Sequence, residues 1–295
     1  MTEKELFSQV GIRPEPTAPS KRGKRDPHFP WLSAIILGVI VLCCLFAEVL
    51  MTKDPTYLDL KNCNAAPNGE FLFGTDTLGR DIFSGIWYGG RVSISIGFLA
   101  TLISTAIAVV YGSVSGVAPV WLDTLMMRFT EILLSVPSLL TVLFLQAILG
   151  EANVISLSIV IGVTGWPGIA KVIRTEVRQL RSMEYVVASR CMGGTFFHIL
   201  GRHLAPNFIA SILFMVVMNV RGAISYESTL SFMGMGLGLE IISWGSMLSL
   251  AEKALMTESW WIILIPGVFL VTLLMCLTNL GNHLRKNASR RERNL

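Results

Sequence analysis

Residues 182–207 read SMEYVVASRCMGGTFFHILGRHLAPN and lie between two long apolar runs. Ser182 is a favourable N-cap, and no Gly or Pro follows it until Gly193, which predicts a helix that ends there. Thr195 can cap a second short helix, which we expect to end before Pro206. We therefore predict two short helices that meet at a glycine elbow, residues 182–194. A polar loop does not need this compact, partly apolar shape unless another protein docks on it.

Composition and hydropathy indicate a membrane protein. The chain has 295 residues, of which 52% are hydrophobic and only 15% are charged, too few charges for an ordinary soluble domain of this length. A membrane span needs ~20 mostly apolar residues. We predict six spans, at residues 31–51, 93–117, 129–149, 154–172, 208–226 and 262–281. The alternative, buried helices of a large soluble protein, requires amphipathic partner helices that this sequence lacks.

Lysine and arginine residues predict the orientation, because they concentrate in cytosolic loops. Six lie in residues 1–30, six lie between the fourth and fifth predicted spans, and five follow the last span, whereas the predicted outward regions carry five. We therefore predict a multi-pass protein of the cytoplasmic membrane in which both basic tails (residues 1–30 and 282–295) and the loop at 173–207 are cytosolic. No cleavable signal peptide is visible, so residues 31–51 are expected to remain as the first span.

An extracytoplasmic segment is predicted at residues 52–92. It contains the turn-rich stretch FGTDTLGRD at residues 73–81, followed by Ile82, Ile86 and Trp87 at helical spacing. That spacing predicts a helix lying at the membrane interface. A five-helix core is then expected at residues 93–281. Within this core, Pro137 and Pro167 should bend or break their helices.

Two ionisable residues, Arg221 and Glu227, are predicted to lie at membrane depth. A charged side chain at the centre of a membrane helix costs about 3 kcal/mol, so it usually faces a cavity or a partner. One interpretation places both residues on the path of a translocated substrate. The others are that they reach the outer interface or pair with another subunit. The sequence alone favours none of these.

Motifs for enzymatic chemistry are not visible in the sequence. It contains no G-x-x-x-x-G-K-[ST] for cradling ATP phosphates, no H-E-x-x-H and no G-x-S-x-G. The five cysteines show no metal-ligand spacing and are interpreted as small hydrophobic residues. We therefore expect no catalytic, cofactor or metal site in this chain.

The elbow resembles the EAA loop of permease subunits in ABC-type importers, whose pattern is E-A-A-x3-G-x9-I-x-L-P. The spacing here is kept by Val187-Ala188-Ser189, by Gly193 and by His203-Leu204-Ala205-Pro206. The surrounding residues are more similar to the dipeptide, oligopeptide and nickel branch, with its E-Y-V-x-A-A-R-A-L-G and R-H-x-L-P-N. This chain differs from that branch at the positions Ser189, Cys191, Met192 and Ala205.

Two further stretches resemble the C-type permease of the same branch. FGTDTLGRD at residues 73–81 is similar to its F-G-T-D-x-x-G-R-D signature. ESTLSFMGMG at residues 227–236, with Trp244-Gly245, is similar to its E-x-x-L-S-F-L-G-L-G…W-G. Three ordered motifs over most of the chain make the resemblance specific.

The resemblance implies an all-α type I ABC importer permease (MetI-like) core of six transmembrane helices, including an extra N-terminal span. It implies a B-type permease subunit as heterodimer partner and an extracytoplasmic solute-binding protein. Two cytosolic ABC ATPases would bind ATP and Mg²⁺, so this chain would not be an enzyme, and no nucleic acid is expected. The residues that would couple it to an ATPase are Glu184, Tyr185, Ala188, Arg190, Gly193 and Pro206.

The substrate class stays open between two cargoes of this branch. Peptides, either dipeptides or oligopeptides, are the favoured interpretation, and nickel or a metal chelate is the alternative. A self-contained secondary transporter would need an internal repeat and paired intramembrane charges. Neither is visible in the sequence, and the elbow would then have no explanation.

Overall fold

The computed structural model describes residues 29–238, 240–250, 254 and 256–293. In this part of the chain the regular structure is helical, and the strand-like pairing consists of one isolated bridge between Thr75 and Asp81. A π-helical turn covers Leu200–Leu204. The α-helices are α1 (Trp31–Leu45), α2 (Ala47–Leu50), α3 (Ile82–Val117), α4 (Val120–Ser135), α5 (Ser138–Leu149), α6 (Val154–Leu180), α7 (Glu184–Cys191), α8 (Phe196–Ile199), α9 (Ala205–Phe232), α10 (Trp244–Leu248) and α11 (Trp261–Arg293).

Where the structure describes the residues, three helices are long and apolar enough to cross a membrane. They are α3, α6 and the stretch Trp261–Asn287 of α11, and the bent pair α4–α5 would be a fourth if it forms one span. α1 is apolar, but its 15 residues are fewer than the ~20 that a span usually needs. α9 has 28 residues. The all-α prediction is confirmed for the described residues. The count of six spans remains a prediction.

α3 joins two segments that we predicted separately. The expected interfacial helix and the span at residues 93–117 form a single helix of 36 residues. Asp81 caps its N-terminus by accepting a hydrogen bond from the Ser84 backbone N–H at 3.0 Å. Gly90 within the helix leaves room for its neighbours, since a Cβ atom there would lie 2.5 Å from Cys44 Sγ. Because α3 is continuous, the chain has no helix break at residue 93.

The two internal prolines of the core behave differently. α4 and α5 are separated at Val136 and Pro137 and meet at 88°, so the predicted break at Pro137 is confirmed. α6 continues through Pro167 without interruption. A helix can tolerate an internal proline inside a bundle, because other groups satisfy the freed backbone carbonyl.

The centre of the bundle is formed by α3, α6 and α9, with α11 packed against α9 and α1. Glycines permit the close approach of α3 and α6. A Cβ atom at Gly112 would lie 2.6 Å from the Ala170 carbonyl oxygen, and one at Gly162 would lie 2.9 Å from that of Ala100. Small residues at such positions are typical of close packing between membrane helices.

Candidate functional site

The elbow has the predicted bend at its glycines. α7 ends at Cys191, and Gly193 adopts φ +84°, a left-handed conformation that glycine adopts without a steric penalty. The Gly194 backbone N–H donates to the Ser189 carbonyl at 3.0 Å, as in a Schellman motif. Gly194 is itself confined, because a Cβ atom there would lie 2.8 Å from that carbonyl oxygen. The backbone conformation therefore favours glycine at position 193, and the lack of space favours glycine at position 194.

The two predicted caps of the elbow helices have different outcomes. The Thr195 side-chain oxygen accepts a hydrogen bond from the His198 backbone N–H at 3.4 Å, which confirms the cap of α8. The Ser182 hydroxyl instead donates to the Gln179 carbonyl at 2.9 Å. The first turn of α7 is closed by the Met183 carbonyl, which accepts from the Val186 and Val187 backbone N–H groups. The prediction of Ser182 as N-cap is wrong.

We predicted that the second elbow helix ends before Pro206, and this prediction is wrong because the helical path continues through that residue. After α8, the π-helical turn Leu200–Leu204 leads directly into α9, in which proline occupies the first turn. The Ala205 backbone N–H donates to the Leu200 carbonyl, five residues earlier. This wider turn replaces the ordinary hydrogen bond to the fourth preceding residue just before the proline.

α7 has an inner and an outer face. Val186 is 1% exposed and Ser189 is 6% exposed, and they lie three residues apart on one side of the helix. The outer face is formed by exposed side chains, which we call the outer elbow face: Glu184, Tyr185, Val187, Ala188 and Met192. Of the predicted coupling residues, the Arg190 and Pro206 side chains lie outside the described part of the structure.

The inner face of α7 belongs to an apolar cluster that reaches the centre of the bundle. Val186 shares this cluster with residues from the elbow, α3, α6 and α9. Its other buried members are Ala108, Trp166, Ile169, Ala170, Ile173, Val177, Ile199, Leu204, Phe208 and Ile212. A close-packed cluster transmits displacement because it has little free volume. α7 thus shares one apolar cluster with all three central helices.

Glu227, a predicted path residue, is fully enclosed, with 0% of its surface exposed. Four serine hydroxyls donate to its carboxylate. Oε2 accepts from Ser93 at 2.9 Å and from Ser228 at 3.3 Å. Oε1 accepts from Ser243 at 2.7 Å and from Ser231 at 3.1 Å. Hydrogen bonds of this kind compensate a buried carboxylate for its lost hydration, and here they join α9 to α3 and to the start of α10.

The two parts of the motif at residues 227–236 and 244–245 meet at this carboxylate. The Trp244 backbone N–H donates to Ser93 Oγ at 3.3 Å, and its indole N–H donates to the Ile86 carbonyl at 2.9 Å. The Trp261 indole N–H donates to the Thr75 carbonyl at 3.1 Å. We call this arrangement the serine lock and define it by Glu227, its four serines and Trp244. Residues 73–81 are linked to it through α3, whose N-terminus Asp81 caps.

Asp76 organises the turn within residues 73–81. Its Oδ1 accepts from the Leu78 and Arg80 backbone N–H groups, each at 2.8 Å, and Gly79 adopts φ +76°. A Cβ atom at Gly79 would lie 1.9 Å from the Asp59 carbonyl oxygen. Burial raises the pKa of Asp76, against the opposite effect of those two backbone N–H groups. The turn thus depends on both the aspartate and the glycine.

Arg221, the other predicted path residue, is half-buried in α9. Its Nε atom is buried without a hydrogen-bond partner among the described residues. Among the described residues, Arg221 and Glu227 do not form an ion pair. The Glu227 carboxylate accepts its hydrogen bonds from serines instead. Contact of either residue with a substrate stays a prediction.

An ion-pair cluster near the elbow was missed by the sequence reasoning. Asp123 in α4 accepts two hydrogen bonds from Arg174, at 2.5 and 2.6 Å, and lies 3.1 Å from Arg178 Nη1. Ser115 in α3 donates to it at 2.7 Å. The sequence reasoning uses the two arginines only as signals of orientation. Their i,i+4 spacing, with an aspartate in the first turn of a neighbouring apolar helix, was the available clue.

Fold and site together define a helical, membrane-embedded transport subunit. Residues 108–290 match the family described as binding-protein-dependent transport system inner membrane component. The chain belongs to this family, which confirms the resemblance. It is therefore a multi-pass membrane component of a transport system and not a catalytic enzyme.

Peptide permeases of other bacteria are similar to most of this chain. The oligopeptide transport system permease protein OppC of Bacillus subtilis (strain 168) is 37% identical over 249 residues, or 84% of this chain and 81% of the relative. The dipeptide transport system permease protein DppC of the same organism is 36% identical over 253 residues, or 84% of this chain and 79% of the relative. OppC of Haemophilus influenzae is 34% identical over 255 residues, or 86% of this chain and 81% of the relative.

A solved structure shows the same fold. It is described as inward-facing conformations of the MetNI methionine ABC transporter and has a TM-score of 0.52 at 16% identity. The match covers 69% of this chain and 96% of that chain. The MetI-like core is therefore confirmed.

Proposed function

We propose that this chain is the C-type permease subunit of an ATP-driven importer of peptides. The observation that carries the proposal is the two-faced elbow. Its outer face is exposed, while its inner face packs with α3, α6 and α9. Peptide as cargo is supported by the relatives, which are named as dipeptide and oligopeptide permeases.

The proposed mechanism is alternating access without covalent chemistry in this chain. A cytosolic ATPase would hold the outer elbow face, and closure of an ATPase pair around ATP and Mg²⁺ would displace α7. The apolar cluster would pass this displacement to the central helices. A B-type permease would complete the pathway, and an extracytoplasmic binding protein would deliver the peptide.

Orientation can be tested with native cysteines. Cys191 in the elbow is exposed, and Cys63 in the segment before α3 is half-buried. In cells whose outer layers are removed but whose cytoplasmic membrane is intact, a membrane-impermeant maleimide should label Cys63. It should label Cys191 only in inverted vesicles. Cys63→Ser and Cys191→Ser variants identify each label. Labelling of Cys191 from outside would contradict the cytosolic placement of the elbow.

Function is tested by reconstitution of this chain with its ATPases, B-type permease and binding protein in proteoliposomes. We expect ATP-dependent uptake of a labelled dipeptide or oligopeptide, and peptide-stimulated ATP hydrolysis. Uptake of Ni²⁺ or a nickel chelate in place of either peptide would replace the peptide assignment while keeping the importer class. Uptake by this chain without any ATPase would contradict the class itself.

A further inference from the structure

α4 is attached to the bundle in an unusual way. Its buried residues are two polar ones, Asp123 and Thr130. Exposed apolar side chains cover the opposite surface: Trp121, Leu125, Phe129 and Ile132. A helix that buries few apolar side chains depends on specific polar contacts for its position.

Prolines stand at both ends of this helix. Pro119 precedes its first residue, and Pro137 follows its last residue by two positions, where the chain turns by 88° into α5. Prolines interrupt helical hydrogen bonding, so α4 is not continued as a rigid rod at either end. It can therefore change its angle to α5 at the Pro137 junction. On the other side it is held to α3 by the Tyr111 hydroxyl, which donates to the Met126 carbonyl at 2.7 Å.

Asp123 is the main attachment of the first turn of α4 to α6. The residue is 4% exposed. Its carboxylate is engaged by Arg174 through both oxygens, at 2.5 and 2.6 Å, by Arg178 at 3.1 Å and by Ser115 at 2.7 Å. We call these four residues the Asp123 clamp. A two-pronged arginine–carboxylate contact fixes orientation as well as distance, and leaving a buried carboxylate without its partners is strongly unfavourable.

The arginines of this clamp lie next to the elbow. Arg174 and Arg178 occupy the last two turns of α6, which ends at Leu180, and α7 begins at Glu184. Between the two helices, the Arg181 guanidinium donates to the Gly116 carbonyl of α3 at 3.0 Å. The end of α6 thus connects α7 in sequence to Asp123 in space.

We propose that Asp123 is a positioning residue that makes α4 follow the elbow. Displacement of α7 moves the end of α6, and the Asp123 clamp draws α4 along, with the junction at Pro137 as the joint. α4 and α5 then change their mutual angle during transport. The inference rests on the proposed function, because it assumes that an ATPase moves the elbow.

The direct test is a distance measurement in the complete transporter. Spin labels at two exposed positions, Leu125 in α4 and Gln179 in α6, report the separation of the two helices with and without ATP and peptide. We expect this distance to stay constant between the two states, while a pair at Leu125 and Ile148 changes. A change in the Leu125–Gln179 distance, or no change in the Leu125–Ile148 distance, would overturn the proposal.

Variants separate positioning from folding. Asp123→Asn should raise the ATP hydrolysed per peptide imported by about tenfold, because the weakened clamp lets α6 move without α4. The paired exchange Asp123→Arg with Arg174→Asp should restore part of that ratio. Glu131→Gln is the matched control, because it breaks an exposed ion pair with Arg128 on the same helix.

The outcomes are distinguishable. An unchanged ratio in Asp123→Asn overturns the clamp, and so does a parallel loss of hydrolysis and uptake that the paired exchange does not relieve. If the unmodified transporter shows no peptide-stimulated hydrolysis, the proposed function fails instead.

Discussion

The two ends of α9 differ in whether residues of this chain cover the polar and apolar groups that lie there. Near its C-terminus, Glu227 is enclosed by four hydroxyls that belong to the same chain. Its N-terminus emerges from a π-helical turn behind the elbow, where Met192 is 82% exposed and Val187 is 47% exposed. The serine lock is complete within this chain, whereas the outer elbow face has apolar surface that only a partner would cover. The first region therefore stabilises the fold, and the second is suited to coupling.

The largest expected effect comes from opening the serine lock. Glu227→Ala removes the acceptor of four hydroxyls and should lower the free energy of unfolding by about 3 kcal/mol or more. Glu227→Gln, which keeps the shape and part of the hydrogen bonding, should be milder. Thermal unfolding of the purified protein in detergent measures both.

The Glu227 variants also test whether the two ends of α9 act independently. Glu227 is 22 residues from the start of α9, or about 33 Å along the helix at 1.5 Å per residue. We therefore expect the folded fraction of Glu227→Gln to retain an ATPase on affinity purification. Loss of ATPase binding without loss of stability would contradict the separation of the two ends.

A second prediction concerns the bend of the elbow. Proline cannot adopt the φ of +84° found at Gly193, so Gly193→Pro should abolish peptide uptake while the protein still inserts. Gly150 at the end of α5 has a similar φ of +82° and open surroundings. Gly150→Pro is thus a matched control for backbone strain, and we expect it to keep ATPase binding. Equal loss of ATPase binding in both would remove the special role of the elbow.

The smallest effects distinguish the two faces of α7. Val186→Ala removes buried methyl groups and should destabilise the protein by roughly 1–2 kcal/mol. Val187→Ala, one residue further, should leave stability unchanged within about 0.5 kcal/mol but weaken ATPase binding. The reverse pattern, measured by thermal unfolding and affinity purification, would contradict the assignment of faces.

The features predictable from sequence were those set by local chemistry. The bend at Gly193, the cap at Thr195 and the break at Pro137 each depend on residues within a few positions. Pro206 was misjudged because the rule against proline in a helix assumes an ordinary turn, and a π-helical turn precedes this residue. Ser182 lies one position too early to cap α7, which begins at Glu184, and its hydroxyl donates to the Gln179 carbonyl instead.

The contacts that define the site come from residues far apart in the sequence. Ser93 and Glu227 are 134 positions apart, and Asp123 and Arg174 are 51 apart. No periodicity or cap relates such pairs, so only the packed helices reveal them. Glu227 could be recognised as an unusual membrane residue with Ser231 four positions further along the same helix, but its partners Ser93 and Ser243 could not be identified.

The central claim is that the outer elbow face is held by an ATP-hydrolysing protein. It is tested most directly by crosslinking from Met192→Cys, with Cys191→Ser to remove the neighbouring thiol, in membranes that contain the complete transporter. We predict a covalent adduct with a cytosolic ATPase whose yield changes with ATP, and none from Leu72→Cys, an exposed position in the predicted extracytoplasmic segment. Efficient modification of the thiol introduced at position 192, without any ATPase ever being captured, would contradict the account.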